Sequence, residues 1–525
     1  MNEIENCLGF AFLLLCSLVF FRGSGEIMPF NIYVDKHGGN YVGAVEQNGK
    51  LTEFRLETVN KTVAIGSIFK GEVANVLCGM NAAFVDVGLN KNGYLAAGDM
   101  LMDRSELEGQ VEIPSITDLK AGDEIMVQAI KDPAGTKGVR LTSNVSFAGR
   151  YVVFMPTIPF VGVSRKITDE KTRERLLAIG KALCPKKSGV IIRTAASDAN
   201  KSDIKREIEE FKKRFSLIEK QFKKEEAPAC LYEEGNLAIR LIRDVFSSAT
   251  DKFVVGDKDL YEEVFKYAKK YRTDLKPKLV LYDKKVDMLS YYGLTDGVET
   301  LLGNTVALEN GAYLVIDKTE ALTVIDVNTG KFTGKDNLED TVFETNLHAA
   351  AEIARQLRLR NVSGIIIVDF IDMREEEHKR KLLEELSLRL EEDREKCSVI
   401  GMSPLGLVEI TRKKKRRESA ANLLQPCPYC QGTGTIQSND YVVMRIRIGL
   451  LDLFANGYDN AIIDLNVDIC EYIFAKKKLK ADVEKIWKDK RVYLMPHRTY
   501  HRQFFLIKGD NGQVMDVPEK SRLLF

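Results

Sequence analysis

Two short apolar runs of this sequence each carry a carboxylate where a buried strand has no structural use for one. Leu322 to Val327 holds Asp326, with Asn328 two residues on; Ile365 to Phe370 holds Asp369, with Asp372 three residues on. Residues at i and i+2 of a strand leave the same face, so Asp326 and Asn328 project together. Between the runs lie a polar loop with Gly330 and Gly334 and then a helical pattern. Its apolar positions Leu338, Val342, Leu347, Ala350, Ile353 and Leu357 recur at spacings of three to five, and Asn361 and Gly364 stop it. Strand, crossover helix and strand form a βαβ unit with parallel strands. Such strands lie roughly 4.8 Å apart, or about 10 Å with one strand between them. Asp326 and Asp369 can therefore converge at the carboxyl ends, where α/β sheets form their sites. Two carboxylates and an amide make the acidic, oxygen-rich pocket that Mg²⁺ occupies while keeping waters and taking substrate phosphate. The plainer alternative is that these residues only cap strand and helix ends. A phosphate loop is excluded, because GKFTGKD is one residue short between its glycines and Asp336 stands where Ser or Thr is required.

Three other groups could do chemistry. Cys427 and Cys430 in CPYCQGTG have the spacing of half a zinc knuckle. A tetrahedral ion needs four ligands and the chain has no second C-x-x-C. Cys397, Cys470, His497 and His501 are candidate additions, and two chains sharing one Zn²⁺ is the arrangement the count favours. A redox dithiol is the competing reading, without a thioredoxin-like context to support it. Arg193 and Thr194 end the apolar run GVII, and a guanidinium beside a hydroxyl suits a terminal phosphate. Arg412 to Arg417 is a run of basic residues, either a solvated face or a hold on a phosphate backbone.

The stretch from Asp326 to Met373, DVNTGKFTGKDNLEDTVFETNLHAAAEIARQLRLRNVSGIIIVDFIDM, closely resembles the catalytic core of the ribonuclease E/G family of bacterial endoribonucleases. The resemblance implies that Asp326 and Asp369 bind Mg²⁺ and that Asn328 positions one of them. It also implies an S1 RNA-binding barrel near the start, where IGSIFKGEVANVLCGMNAAFVDVGLNKNGYLAAGDM has the β-branched residues and spaced glycines of a five-stranded OB-fold. There Phe84, Tyr94 and Lys137 would line a single-strand path, base stacking on such rings being worth roughly 1–3 kcal/mol. Lone aromatics are more often core. By the same resemblance Arg193 and Thr194, with Arg165 and the Val153 backbone, form a pocket sensing a 5′-monophosphate. Cys427 and Cys430 match a C-P-x-C-x-G-T-G element that shares Zn²⁺ between two chains.

These readings define an α/β multidomain protein. Residues 1–27 are an apolar extension; 28–63 and 238–300 form a ribonuclease-H-like scaffold; 64–145 are the S1 barrel; 146–237 the 5′-phosphate sensor; 301–422 the catalytic domain; 423–436 the zinc link; and 437–525 a small α/β oligomerisation domain. Helices are expected at Lys171 to Leu183, Ser202 to Lys224, Glu375 to Glu395, Met444 to Ala455 and around Lys477 to Asp489. Leu8 to Phe21 is apolar, but Glu3 and Glu5 precede it and it falls short of the roughly 20 residues of a membrane span. Met28 is the expected initiator, and no stable membrane contact is expected unless residues 8–21 are retained.

With 77 basic and 76 acidic residues the chain is nearly neutral, which excludes a histone-like binder but not local nucleic-acid patches. Nine scattered cysteines do not form a secreted disulfide framework and fit a reducing cytoplasm. The expected function is a Mg²⁺-dependent endoribonuclease cutting single-stranded, A/U-rich RNA, stimulated by a 5′-monophosphate and leaving 3′-hydroxyl and 5′-phosphate ends. It would serve rRNA and tRNA processing and mRNA turnover, as a homodimer or tetramer, with no small-molecule cofactor. A non-catalytic RNA-binding assembly factor is the alternative, and a nucleotide-dependent enzyme is disfavoured by the failed phosphate loop. The long tail of the ribonuclease E branch is absent from this sequence, so the ribonuclease G branch is the expected comparison.

Overall fold

The computed structural model describes residues 29–58, 65–100, 116–131, 138–330, 338–414, 416–476, 485–486, 488–510 and 517–524. The expectations for the N-terminal extension, for Lys137 and for the loop after Gly330 fall outside these residues. The chain divides into two compact units, residues 1–424 and 425–525. No helix among the described residues is long and apolar enough to cross a membrane.

The described residues of the first unit form four sheets. In one, Leu279–Leu281, Thr250–Val255 and Phe30–His37 run parallel, and Asn40–Gln47 and Lys50–Thr58 continue antiparallel as hairpins. Residues before the barrel and after residue 237 therefore share one sheet, with Leu237–Asp244 packed over it through Leu237, Leu241 and Ile242.

The barrel is closed and five-stranded, as the glycine spacing predicts. Ile68–Leu77, Ala82–Asp86, Gly93–Ala96, Arg140–Thr142 and Glu124–Lys131 pair in that order, and the last returns to the first. Phe69, Val85, Leu95, Val127 and Leu141 fill it. Two glycines permit the closure: a Cβ on Gly71 would lie 2.5 Å from a Val85 methyl, and one on Gly93 would lie 2.3 Å from a Leu141 methyl.

Residues 147–192 form a small sheet ordered Val161–Val163, Gly189–Ile192, Val152–Met155 and Phe147–Ala148. Helices Glu170–Leu183 and Lys201–Lys224 accompany it, each starting one residue before its expected position. The long helix turns Ile208, Phe211 and Ile218 inward as its stripe predicts, while Phe215 is partly buried against the same core.

The fourth sheet is ordered Thr305–Ala307, Tyr313–Lys318, Leu322–Asn328, Gly364–Asp369, Leu407–Arg412 and Cys397–Met402. Leu322–Asn328 and Gly364–Asp369 are parallel, joined by the crossover helix Leu338–Arg360. That helix buries Ala350, Ile353 and Leu357 against Ile325, Ile366 and Val368. It stops at Asn361 (φ 51°), and Gly364 (φ 98°) lets the chain enter the next strand. Helix Glu376–Glu391 ends four residues short of expectation, because Asp393 turns inward to Arg412.

The second unit is a sheet ordered Phe505–Gly509, Asn460–Asn466, Arg491–His497 and Arg522–Leu523, packed with two helices. The first, Asn439–Ala455, begins earlier than expected because Ser438 caps it by accepting from the Tyr441 N–H at 3.3 Å. The second, Val467–Lys476, is unforeseen: VDICEYIFAK is apolar enough to pass for a strand. Residues 477–484 and 487 of the helix expected next lie outside the described residues.

Candidate active site

Alternation of burial explains why the two strands present acids to solvent. In Leu322–Asn328, Thr323, Ile325 and Val327 point into the core, leaving Asp326 and Asn328 on the outer face. In Gly364–Asp369, Ile366 and Val368 point in and Asp369 points out. The parallel register sets Asp326 directly opposite Asp369. Asn328 donates from Nδ2 to Asp326 Oδ2 at 2.8 Å, fixing that carboxylate. Partial burial and the charges of Asp326 and Asp372 push the Asp369 carboxyl above the usual range. No basic side chain pairs with Asp326 or Asp369 among the described residues. Two like charges held one strand spacing apart, with no counter-charge on them among the described residues, make a donor set that suits a hard divalent cation. No cluster of three or more His, Cys, Asp or Glu side chains suited to a metal occurs among the described residues, so an ion here would complete its shell with water and substrate.

The sequence reading missed what holds the second acid's exit. Asn346 is fully buried on the crossover helix; its Nδ2 donates to Ile371 O at 2.8 Å and its Oδ1 accepts from Ile371 N–H at 3.1 Å. An asparagine inside an otherwise apolar helical stripe was the available signal. Glu339 accepts from the N–H groups of Arg374 and Glu375 at 2.8 and 3.1 Å, which holds its carboxyl low and anchors the segment beyond Asp372.

On the barrel, Phe84 and Tyr94 are register partners with ring centroids 5.9 Å apart at 66°, both half-buried on the outer face. Tyr94 also faces Arg140, whose guanidinium forks onto Asp99 at 2.5 and 3.0 Å. Arg140 was not singled out from sequence.

Arg193 follows the Gly189–Ile192 strand. Its guanidinium donates to Gly149 O and lies 3.9 Å from Asp244 Oδ1. Burial works against ionising Asp244, but hydrogen bonding and charge from Arg243, with Arg193 adding to them, hold its carboxyl down to about 2. Thr194 Oγ1 lies 3.2 Å from Ser164 Oγ, and Ser164 N–H donates to Ile192 O, so the exposed Arg165 turn meets the same strand end. Val153 sits opposite Ile191 on the neighbouring strand.

Cys430 accepts the Gly434 N–H at 3.3 Å; this bond, a second from Gly432 and the neighbouring Cys427 lower its thiol. Positive φ at Gln431, Gly432 and Gly434 aims those N–H groups inward. The proposed extra ligands are otherwise engaged. Burial, then Asp393, pushes the Cys397 thiol up to about 12; Cys470 is in the core of the second unit; His497 bonds Asp464 at 3.0 Å. His501 does approach the loop, with Nε2 2.7 Å from Tyr429 O and its ring 4.2 Å from the Tyr429 ring.

The basic run is not one continuous face. Arg412 is buried, paired with Asp393 at 2.8 Å and donating to Asn361 Oδ1 and Val362 O. Burial, then the Arg55 charge, lowers Arg416 to about 10. Lys413 and Lys414 are exposed.

A model of the ribonuclease E/G family matches residues 146–415, which span the phosphate-binding candidates and both acidic strands. The chain belongs to the ribonuclease E/G family. It is 36% identical to ribonuclease G of Haemophilus influenzae over 88% of this chain and 96% of that protein. It is 40% identical to ribonuclease G of Escherichia coli K12 over 76% of this chain and 82% of that one. Ribonuclease E of Synechocystis is 36% identical over 78% of this chain but 60% of its own length. Within the family the chain is of the ribonuclease G type.

Proposed function

We propose that this endoribonuclease cuts single-stranded RNA with Mg²⁺ held between Asp326 and Asp369. The observation that supports the reading above all is their shared register on adjacent parallel strands, with Asn328 on Asp326. A bound Mg²⁺ supplies positive charge to the scissile phosphate and makes water a better nucleophile at neutral pH. Asn328 holds the Asp326 carboxylate through Oδ2, the acid that with Asp369 would hold the ion, and Asn346 fixes the chain leaving Asp369. Products then carry 3′-hydroxyl and 5′-phosphate ends.

Phe84 and Tyr94 offer adjoining ring faces on which successive bases stack, which grips a strand with little regard to sequence. Arg193, Thr194 and the Arg165 turn take a 5′-terminal phosphate, so monophosphorylated ends are preferred. Part of the Arg193 fork is already spent on Gly149 and Asp244, leaving the rest for the anion. Cys427 and Cys430 supply two thiolates to a Zn²⁺ completed by the same pair of a second chain, which ties zinc to dimer formation. The donors on Cys430 and its lowered thiol support that reading. The mixed five-stranded sheet built on Phe30–His37 suits a ribonuclease-H-like scaffold without that enzyme's chemistry. Substrates in this reading are rRNA and tRNA precursors and mRNA in a cytoplasmic setting.

The test is a gel assay of 5′-phosphorylated single-stranded RNA with and without EDTA, alongside Asp326→Asn. Cleavage that chelation and the substitution each abolish, with RNA binding retained, is the expected result. Undiminished cleavage by Asp326→Asn defeats the reading.

A further inference from the structure

Strands Cys397–Met402 and Leu407–Arg412 are joined by a tight turn, Ser403 to Gly406, beside the acidic pair. Asp369 is the register partner of Leu407, where the turn re-enters the sheet. A Cβ on Gly406 would lie 3.9 Å from Asp372 Oδ1, so the turn runs against the segment leaving Asp369. It is braced internally. Ser403 N–H donates to Leu407 O at 2.8 Å, Gly406 N–H to Ser403 O at 2.9 Å, and Ser403 Oγ accepts the Leu407 N–H at 3.3 Å. Pro404 fixes its own φ, and Gly406 (φ 83°) takes the left-handed position.

At the tip of this braced turn stands Leu405, 82% exposed, more than any other large apolar side chain described. Single exposed leucines are ordinary and need no explanation on a featureless surface. This one is set apart by its place. Two residues of chain span at most about 7 Å and paired strands lie about 5 Å apart, so the Leu405 Cα is within about 12 Å of that of Asp369. A nucleotide whose phosphate lies at the acids has its base within reach of a side chain at this distance, and the faces of the base are its apolar surface.

We propose that Leu405 is a base-contacting residue of the cleavage site, packing its isobutyl group on the face of a nucleobase flanking the scissile phosphate. The proposal rests on the reading of Asp326 and Asp369 as that site. Apolar contact with a base face is favourable and tolerant of base identity, while a rigid turn contributes it without ordering a loop. The side chain thereby positions the strand over the acids rather than taking part in bond breaking.

The experiment uses the full chain, a 5′-phosphorylated RNA with one cleavable linkage, and copies of it with single abasic nucleotides on either side of that linkage. Leu405→Ala should lower kcat/KM on intact RNA on the order of tenfold, mainly through KM, with an unchanged melting temperature. Leu405→Phe should restore it. One abasic position should cost the wild-type enzyme a similar factor and leave Leu405→Ala no worse. Wild-type kinetics for Leu405→Ala, or abasic losses that multiply with the substitution at every position, would overturn the proposal. Asp369→Asn is run in parallel: full cleavage by that variant removes the site itself, whereas normal dependence on Asp369 with no effect at Leu405 removes only the base contact.

Discussion

Asp326 and Asp369 face each other across adjacent parallel strands, although a whole crossover helix separates them in the chain. The helix buries its small and branched side chains on one side of the sheet, so the acids are left together on the other. Partial burial, then the nearby charges of Asp326 and Asp372, raises Asp369, and the pair forms a concentration of negative charge that a divalent cation would relieve. The consequences for the surrounding framework can each be measured.

Arg412 is expected to behave as a core residue. It and Asp393 are both nearly inaccessible, so Arg412→Ala leaves a buried carboxylate unpaired and should cost about 3–5 kcal/mol in urea unfolding. Replacing exposed Lys414 should leave stability unchanged and flatten the salt dependence of RNA binding. Equal effects of both changes on RNA affinity, with no stability difference, contradict the assignment.

Acid should loosen the first sheet through Glu53. Burial opposes its ionisation, but Arg394, Arg55 and Arg416 outweigh that and hold the carboxyl down to about 2 against an ordinary value of 4.5. A depressed carboxylate stabilises fully above its unfolded pKa, and that stability drains away as pH falls from about 5 towards 2. The contribution is on the order of 3 kcal/mol. Glu53→Gln should therefore flatten the acid limb of melting temperature against pH; an unchanged limb rejects the cluster's role.

Arg193→Ala should erase the preference for a 5′-phosphate. The measurement is the ratio of cleavage rates for 5′-phosphorylated and 5′-hydroxyl RNA, a ratio that cancels any general loss of folded enzyme. It should fall to about one, with Arg193→Lys restoring only part of it because the bidentate fork is lost. A ratio untouched by both substitutions places the phosphate elsewhere.

Cys427→Ser should halve the thiolates available to a shared ion. Sedimentation is expected to show a weaker dimer, and metal analysis a loss of zinc. A tight, fully active dimer without zinc would refute the shared site.

Much of this architecture was readable before the structure, for physical reasons. The acidic strands announce themselves because carboxylates interrupt β-branched runs, and the barrel because Gly71 and Gly93 are needed where strands cross closely. What escaped was polar chemistry turned inward. Asn346 looks like one more helix residue until its amide meets Ile371, and Arg412 looks like surface charge until Asp393 folds beneath it. His501 meets Tyr429 through distant chain, which no local pattern encodes. The helix Val467–Lys476 was hidden by an apolar composition that suits either regular structure.

The most direct test of the central claim is Mn²⁺ binding, as a spectroscopic stand-in for Mg²⁺, to the full chain in complex with an uncleavable single-stranded RNA. Asp326→Asn and Asp369→Asn should each lose one bound ion per chain relative to the wild type while RNA affinity holds. Equal ion counts in all three proteins would contradict the account.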